Sequence, residues 1–150
     1  VQKTRQPLRV IMDNRLEIPA NAKVLQKTGV LIFTTLQDST KIQSLTERGV
    51  QVVVLPNATG KLDLAEVMSK LAEFAINEIL VEAGSTLSGA LVESQLVDEI
   101  IIYCAPIFLG NSARSMLHLP ELRSLSQKWK LEITEIGKVG CDIKITAKLI

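Results

Sequence analysis

Cysteine, histidine and aromatic side chains are scarce in this chain. Its 150 residues include two cysteines, one histidine, one tryptophan and one tyrosine. Cys104 and Cys141 are remote in sequence from each other, from His118 and from any second ligand pair. That spacing signals neither a zinc site nor a disulfide framework, so no metal is expected and both cysteines read as small apolar fillers. An excess of one charge is missing too. Seventeen Lys and Arg face sixteen Asp and Glu, and the basic residues are scattered rather than set in a stripe with interleaved aromatics, which argues against nucleic acid as a partner. Long apolar runs are absent: the longest are strand-sized, far below the ~20 residues of a membrane span. The opening "VQKTRQPLRV" does not read as a signal peptide. With no membrane segment in view, the simplest location is the cytoplasm.

What the chain does have is core. Hydrophobic residues make up 47% and charged ones 22%, the balance of a globular protein, and the length fits a single domain spanning residues 1–150. Leu8–Met12, Val30–Thr34 and Gln51–Leu55 are short, continuously apolar and rich in β-branched residues, which predicts central strands covered on both faces. Between the second and third, Asp38–Arg48 is amphipathic, with Ile42 and Leu45 three apart and Gly49 as the stop. This is a parallel βαβ crossover. Within Leu62–Ala75, Leu64, Val67, Met68, Leu71 and Ala75 share a face behind Asp63 as N-cap, and the segment leads to a predicted strand at Glu78–Val81. A helix at Leu87–Gln95 and a strand at Glu99–Ala105 follow. From Lys128 the pattern becomes alternating. Leu131, Ile133 and Ile136, then Ile143, Ile145, Ala147 and Leu149, flank "GKVGCD" as an antiparallel hairpin that closes the sheet. The fold class is therefore α/β, a mostly parallel sheet flanked by helices.

The densest chemistry lies at residues 80–90, "LVEAGSTLSGA". In an open α/β sheet, ligands bind beyond the carboxyl ends of strands, where a helix N-terminus presents free N–H groups to a phosphate. The dinucleotide fingerprint G-x-G-x-x-G is not met, because Gly84 and Gly89 are five apart with no glycine between them. The P-loop spacing is met, but Ala90 and Leu91 stand where its lysine and hydroxyl would be, which excludes an NTPase. A metal-free pyrophosphate cradle remains, beside the alternative that Gly84 makes a tight turn and Gly89 lets the helix pack closely. Glu82, ending an apolar run, is costly if buried without a partner and is expected to face a cleft holding hydrogen-bond donors. Thr34 and Thr35 end the second strand, where hydroxyls suit the adenosine part of a dinucleotide with Lys41 near a 2′-phosphate. The alternative there is a helix-entry turn capped by Asp38 or Ser39. His118 reads as a surface or packing residue, and Trp129 as sheet or interface packing.

The block "LVEAGSTLSGALVESQLVDEIIIYCAPIFLG" resembles the reductase domain of the bifunctional riboflavin-biosynthesis deaminase/reductase family. The likeness rests on Val81-Glu82-Ala83-Gly84, Leu96-Val97-Asp98-Glu99 and Ala105-Pro106 with Leu109-Gly110, and extends to "RVIMDNRLEIP" and "IGKVGCDIKI". It implies a dihydrofolate-reductase-like fold and NADPH as cofactor. The implied reaction reduces the ribosyl group of 5-amino-6-(5-phosphoribosylamino)uracil to ribityl. Glu82 then resembles the substrate-contacting glutamate. Gly84, Ser85, Thr86, Leu87, Ser88, Gly89 and Ala90 resemble the pyrophosphate loop, and Asn14 stands where the family usually has a small hydroxyl residue near the cofactor. Ile107 departs from the lysine common after A-P. The resemblance also implies pairing into a homodimer, to which the apolar edge of the Leu131–Leu149 hairpin is suited. It further implies that the chain corresponds to the later part of a longer reductase domain, the family's earlier substrate-binding segment and its zinc-dependent deaminase domain lying upstream. A fragment of that kind would be a non-catalytic nucleotide-binding or dimerisation module by itself.

Overall fold

Every residue of "VLIFT" at Val30–Thr34 is buried, and the way its side chains divide organises the first half of the chain. The protein is described here from a computed structural model covering residues 6–150, so part of the opening read above for a signal peptide lies outside the described residues. Two compact units are present, Val1–Asn77 and Glu78–Ile150.

In the first unit, β1 (Arg9–Met12), β2 (Val30–Thr34) and β3 (Gln51–Val54) form a parallel sheet in the order β1-β2-β3. Successive side chains of a strand point to opposite faces. Val30 and Ile32 accordingly join Leu16, Leu25, Leu45 and Val50 in one core cluster, while Leu31 and Phe33 join Leu55, Val67 and Leu71 in another. Leu45 belongs to α1 (Ser39–Thr46), and Val67 and Leu71 to α2 (Leu64–Glu73), so the helices cover opposite faces of the sheet. Fully burying each such side chain is worth ~1.5–3 kcal/mol.

Both helices start on an aspartate. Asp38 Oδ1 accepts the Lys41 N–H at 3.0 Å, and Asp63 Oδ1 accepts those of Ala65 at 2.9 Å and Glu66 at 3.2 Å. Their ends also match: Gly49 follows α1 at φ +79° and Ala75 follows α2 at φ +56°. The next N–H returns to the helix in each, from Val50 to the Leu45 carbonyl and from Ile76 to the Leu71 carbonyl, both at 3.2 Å, the pattern of a Schellman motif.

In the second unit, α3 (Ser85–Glu93) precedes an antiparallel sheet of β4 (Ile100–Cys104), β5 (Leu131–Val139) and β6 (Asp142–Leu149) in the order β4-β6-β5. A two-residue turn joins β5 to β6 with Gly140 first, at φ +65°, where hairpin turns favour glycine. Ile133 pairs with Ala147 and Ile136 with Ile145, so the extra residue between them is absorbed by a β-bulge at Thr134. Leu131, Ile133 and Ile136 thereby share one face despite their uneven spacing.

Three expectations are corrected. Glu78–Val81 is not a strand: it pairs with none of its unit's strands, and Leu80 is 80% exposed. Apolar β-branched character signals a strand only where a ladder partner exists. The strand expected at Glu99–Ala105 is present as β4, paired antiparallel with β6 of the closing hairpin. Helix α3 begins two residues earlier than its apolar spacing implied, because Ser85 and Thr86 occupy a first turn whose N–H groups need no apolar face. Cys104 and Cys141 are exposed, not core fillers; Cys104 ends β4, and Cys141 lies in the hairpin turn with its thiol 3.4 Å from Asp142 Oδ1.

Candidate functional site

At the carboxyl ends of β1 and β2 the structure brings Asn14, Thr34 and Thr35 together. The Asn14 main-chain carbonyl accepts from Thr34 Oγ1 and Thr35 Oγ1, each at 3.0 Å, and from the Thr35 N–H at 3.3 Å. Thr34 Oγ1 also accepts the Leu36 N–H at 3.1 Å, and the residue is 0% exposed. A hydroxyl has one proton to give, so Thr34 spends its own inside the chain and has no surface for a ligand. Within the chain it serves as a brace for Asn14. Thr35 and Asn14 are only partly buried. The Asn14 carboxamide oxygen accepts the Leu62 N–H at 3.1 Å, drawing in the loop that follows β3. Lys41 Nζ lies 3.4 Å from the Leu16 carbonyl, and Asp38 caps α1, as the helix-entry alternative holds.

In the second unit, Gly84 is the N-cap of α3, with φ −74° and ψ 167°, and no side chain caps the helix. A Cβ on Gly84 would meet nothing within 4 Å. Neither backbone strain nor internal crowding accounts for a glycine there. The N–H groups of Ser85, Thr86 and Leu87 precede the first intrahelical bond, which runs from Ser88 to the Gly84 carbonyl at 3.1 Å. The helix start thus offers free donors and the positive end of its dipole. Gly89 is different. It is buried, and a Cβ there would overlap the His118 carbonyl, so its small size serves the approach of another backbone segment. Ala90 is partly buried one residue further on. Glu82 is exposed in the irregular stretch before Gly84, which removes the expected cost of burial and leaves its carboxylate in water. Among the described residues, no group of three or more His, Cys, Asp or Glu could hold a metal ion, and no helix is long and apolar enough to cross a membrane.

Residues 1–145 match the family described as the RibD C-terminal domain. The chain belongs to that family. It is 37% identical over 142 residues to the riboflavin biosynthesis protein RibD of Escherichia coli, covering 95% of this chain and 38% of that protein. It is 29% identical over 139 residues to the 5-amino-6-(5-phosphoribosylamino)uracil reductase of Buchnera aphidicola from Acyrthosiphon pisum, covering 93% of this chain and 66% of that one. Among solved structures, Acinetobacter baumannii RibD superposes with a TM-score of 0.81 at 30% identity, over 97% of this chain and 38% of that one. The RibD C-terminal domain carries the dihydrofolate-reductase-like α/β fold, and the parallel sheet, helices and C-terminal hairpin seen here are its parts.

Two features of this RibD-family chain escaped the sequence reading. The Asn14–Leu62 bond joins residues 48 apart and leaves no periodic trace, although "PNATGK" marks a turn. His118 acts through its main chain, which no side-chain pattern announces.

Proposed function

We propose that this chain is the reductase part of a riboflavin-pathway enzyme, using NADPH to reduce the ribosyl group of 5-amino-6-(5-phosphoribosylamino)uracil to ribityl. The observation that carries the reading is the start of α3. Helices α1 and α2 are capped by aspartates, whereas α3 opens on a glycine with no capping side chain and open space around it. An aspartate there would repel a pyrophosphate; free N–H groups and a glycine admit one. Membership of the RibD C-terminal domain family supports the same reading.

When bound, NADPH supplies the hydride. The chain's own residues bind and orient. Gly84 to Leu87 offer main-chain donors, with Ser88, Gly89 and Ala90 continuing the helix behind them. At the carboxyl edge of the parallel sheet, Thr35 offers a hydroxyl suited to a nucleoside, with Asn14 beside it near the cofactor. Glu82 accepts hydrogen bonds from the sugar hydroxyls of the substrate and holds the reacting carbon in near-attack geometry. The protein works as a homodimer in the cytoplasm.

NADPH oxidation measured in the complete protein with and without the pyrimidine substrate tests this. Substrate-dependent oxidation is expected. Binding of NADPH with no turnover would leave a non-catalytic nucleotide-binding module.

A further inference from the structure

We propose that Asn14 is a positioning residue whose carboxamide oxygen fastens the loop after β3 across the carboxyl edge of the parallel sheet, without itself touching the ligand. The functional meaning of that edge rests on the nucleotide reading above; the clamp does not.

The loop runs from Leu55 to Asp63, the N-cap of α2. It is turned locally, by Asn57 Oδ1 accepting the Thr59 N–H at 2.9 Å and by Gly60 at φ +67°. Those contacts set the loop's shape but not its place. Strand β3 pairs with β2, and β1 lies on the far side of β2, so a tie from Leu62 to the end of β1 draws the loop over the whole ridge. Ligands of open α/β sheets bind along that ridge.

Only two side-chain bonds among the described residues hold the loop to the strand ends. Thr35 Oγ1 lies 3.3 Å from the Gly60 carbonyl and 3.0 Å from the Asn14 carbonyl, and its single proton can serve one of them at a time. The Asn14–Leu62 bond has no such competition. The orientation of the carboxamide follows from chemistry, since a main-chain N–H can donate only to the oxygen end. Asn14 is suited to the task because its own main-chain carbonyl is fixed by the Thr34 hydroxyl and the Thr35 N–H, whichever carbonyl the Thr35 hydroxyl serves. The anchor is rigid before it grips the loop. Leu62 in turn packs against the core cluster around Phe33 and Leu71, so the tie also sets how α2 is entered.

The two ends of the carboxamide allow a clean test. Asn14→Asp keeps an acceptor for Leu62 and removes the NH2 group; Asn14→Ala removes both. In the complete protein, amide exchange at Leu62 should accelerate at least tenfold in Asn14→Ala and stay near the wild-type rate in Asn14→Asp. The KM for NADPH should rise about five- to tenfold in Asn14→Ala, with kcat within twofold, and less in Asn14→Asp. Unchanged Leu62 exchange in Asn14→Ala would overturn the clamp. Equal loss of NADPH affinity in both variants, with Leu62 still protected in Asn14→Asp, would make the NH2 group a ligand contact and overturn the positioning role. If NADPH does not bind even the wild type, the nucleotide reading fails while Leu62 exchange still decides the clamp.

Discussion

Gly89 and His118 meet backbone to backbone. A Cβ on Gly89 would overlap the His118 carbonyl oxygen and stand 2.7 Å from its carbonyl carbon, while the His118 N–H donates to the Ser85 carbonyl at 2.9 Å. The segment through His118 is therefore seated on the face of α3 that Gly89 leaves bare. Gly89→Ala forces that backbone away and should destabilise the protein by about 1–3 kcal/mol, the range of overpacking in a well-packed site. Urea denaturation measures it; a stability equal to wild type would mean that the segment is not held there.

Gly84 should behave in the opposite way. Its φ is negative and its surroundings are open, so Gly84→Val is compatible with the fold and costs about 1 kcal/mol through poorer N-capping. Affinity for NADPH should fall by more, about 2 kcal/mol, as one or two charge-assisted contacts are lost. Urea denaturation measures the first and calorimetric titration of the folded variant the second. An unchanged affinity would mean that Gly84 only starts a helix.

Helix ends supply a third expectation. Ala75 and Gln95 sit at φ +56°, just past α2 and α3, in positions that glycine fills after α1. The Leu96 N–H returns to the Leu91 carbonyl at 3.0 Å, so α3 ends in the same motif as the others. A left-handed non-glycine residue costs roughly 1–2 kcal/mol, partly offset by the greater chain entropy of glycine when unfolded. Ala75→Gly and Gln95→Gly should each stabilise by about 0.5–1 kcal/mol in thermal unfolding, raising Tm by a few degrees. Lower stability in either variant would contradict the left-handed turn at that residue.

These particulars show why some of the molecule is legible in the sequence and some is not. Strand β2 is recognisable because burial on both faces demands an unbroken apolar run, and Asp63 because a cap competes openly with the helix start. Ile79–Val81 has the same apolar character without a ladder partner in its unit, and local composition cannot reveal whether a partner is there. Leu131, Ile133 and Ile136 read as simple alternation in the sequence, whereas the bulge at Thr134 is what keeps all three on one face. At the candidate site, the glycine turn was legible because glycines and hydroxyls cluster in sequence. The bracing of Asn14 by Thr34 was not, since it depends on which strand ends become neighbours in space.

The hairpin sheet carries an association prediction. Leu131, Ile133, Ile136 and Ile143 share one face, and Ile133 and Ile136 are 55% and 65% exposed. An aliphatic face on a sheet with a long outer strand favours self-association. Sedimentation velocity at micromolar concentration should show a dimer, and Ile136→Lys should shift it toward monomer. A wild-type monomer would contradict the assignment.

Glu82 separates substrate from cofactor. Its carboxylate is exposed two residues before the uncapped start of α3, where a negative charge would repel a pyrophosphate but can accept hydrogen bonds from ribose or ribityl hydroxyls. Glu82→Gln keeps the size and one acceptor oxygen while removing the charge. In the complete protein, NADPH affinity should stay within about twofold of wild type, and kcat/KM for the phosphoribosyl substrate should fall roughly ten- to a hundredfold, as expected when one charged acceptor is lost from the transition state. Parallel titration with NADPH and steady-state kinetics with the pyrimidine decide between the sites. If the variant loses NADPH binding in proportion to its activity, Glu82 serves the cofactor or the local fold, and the substrate contact assigned to it is wrong.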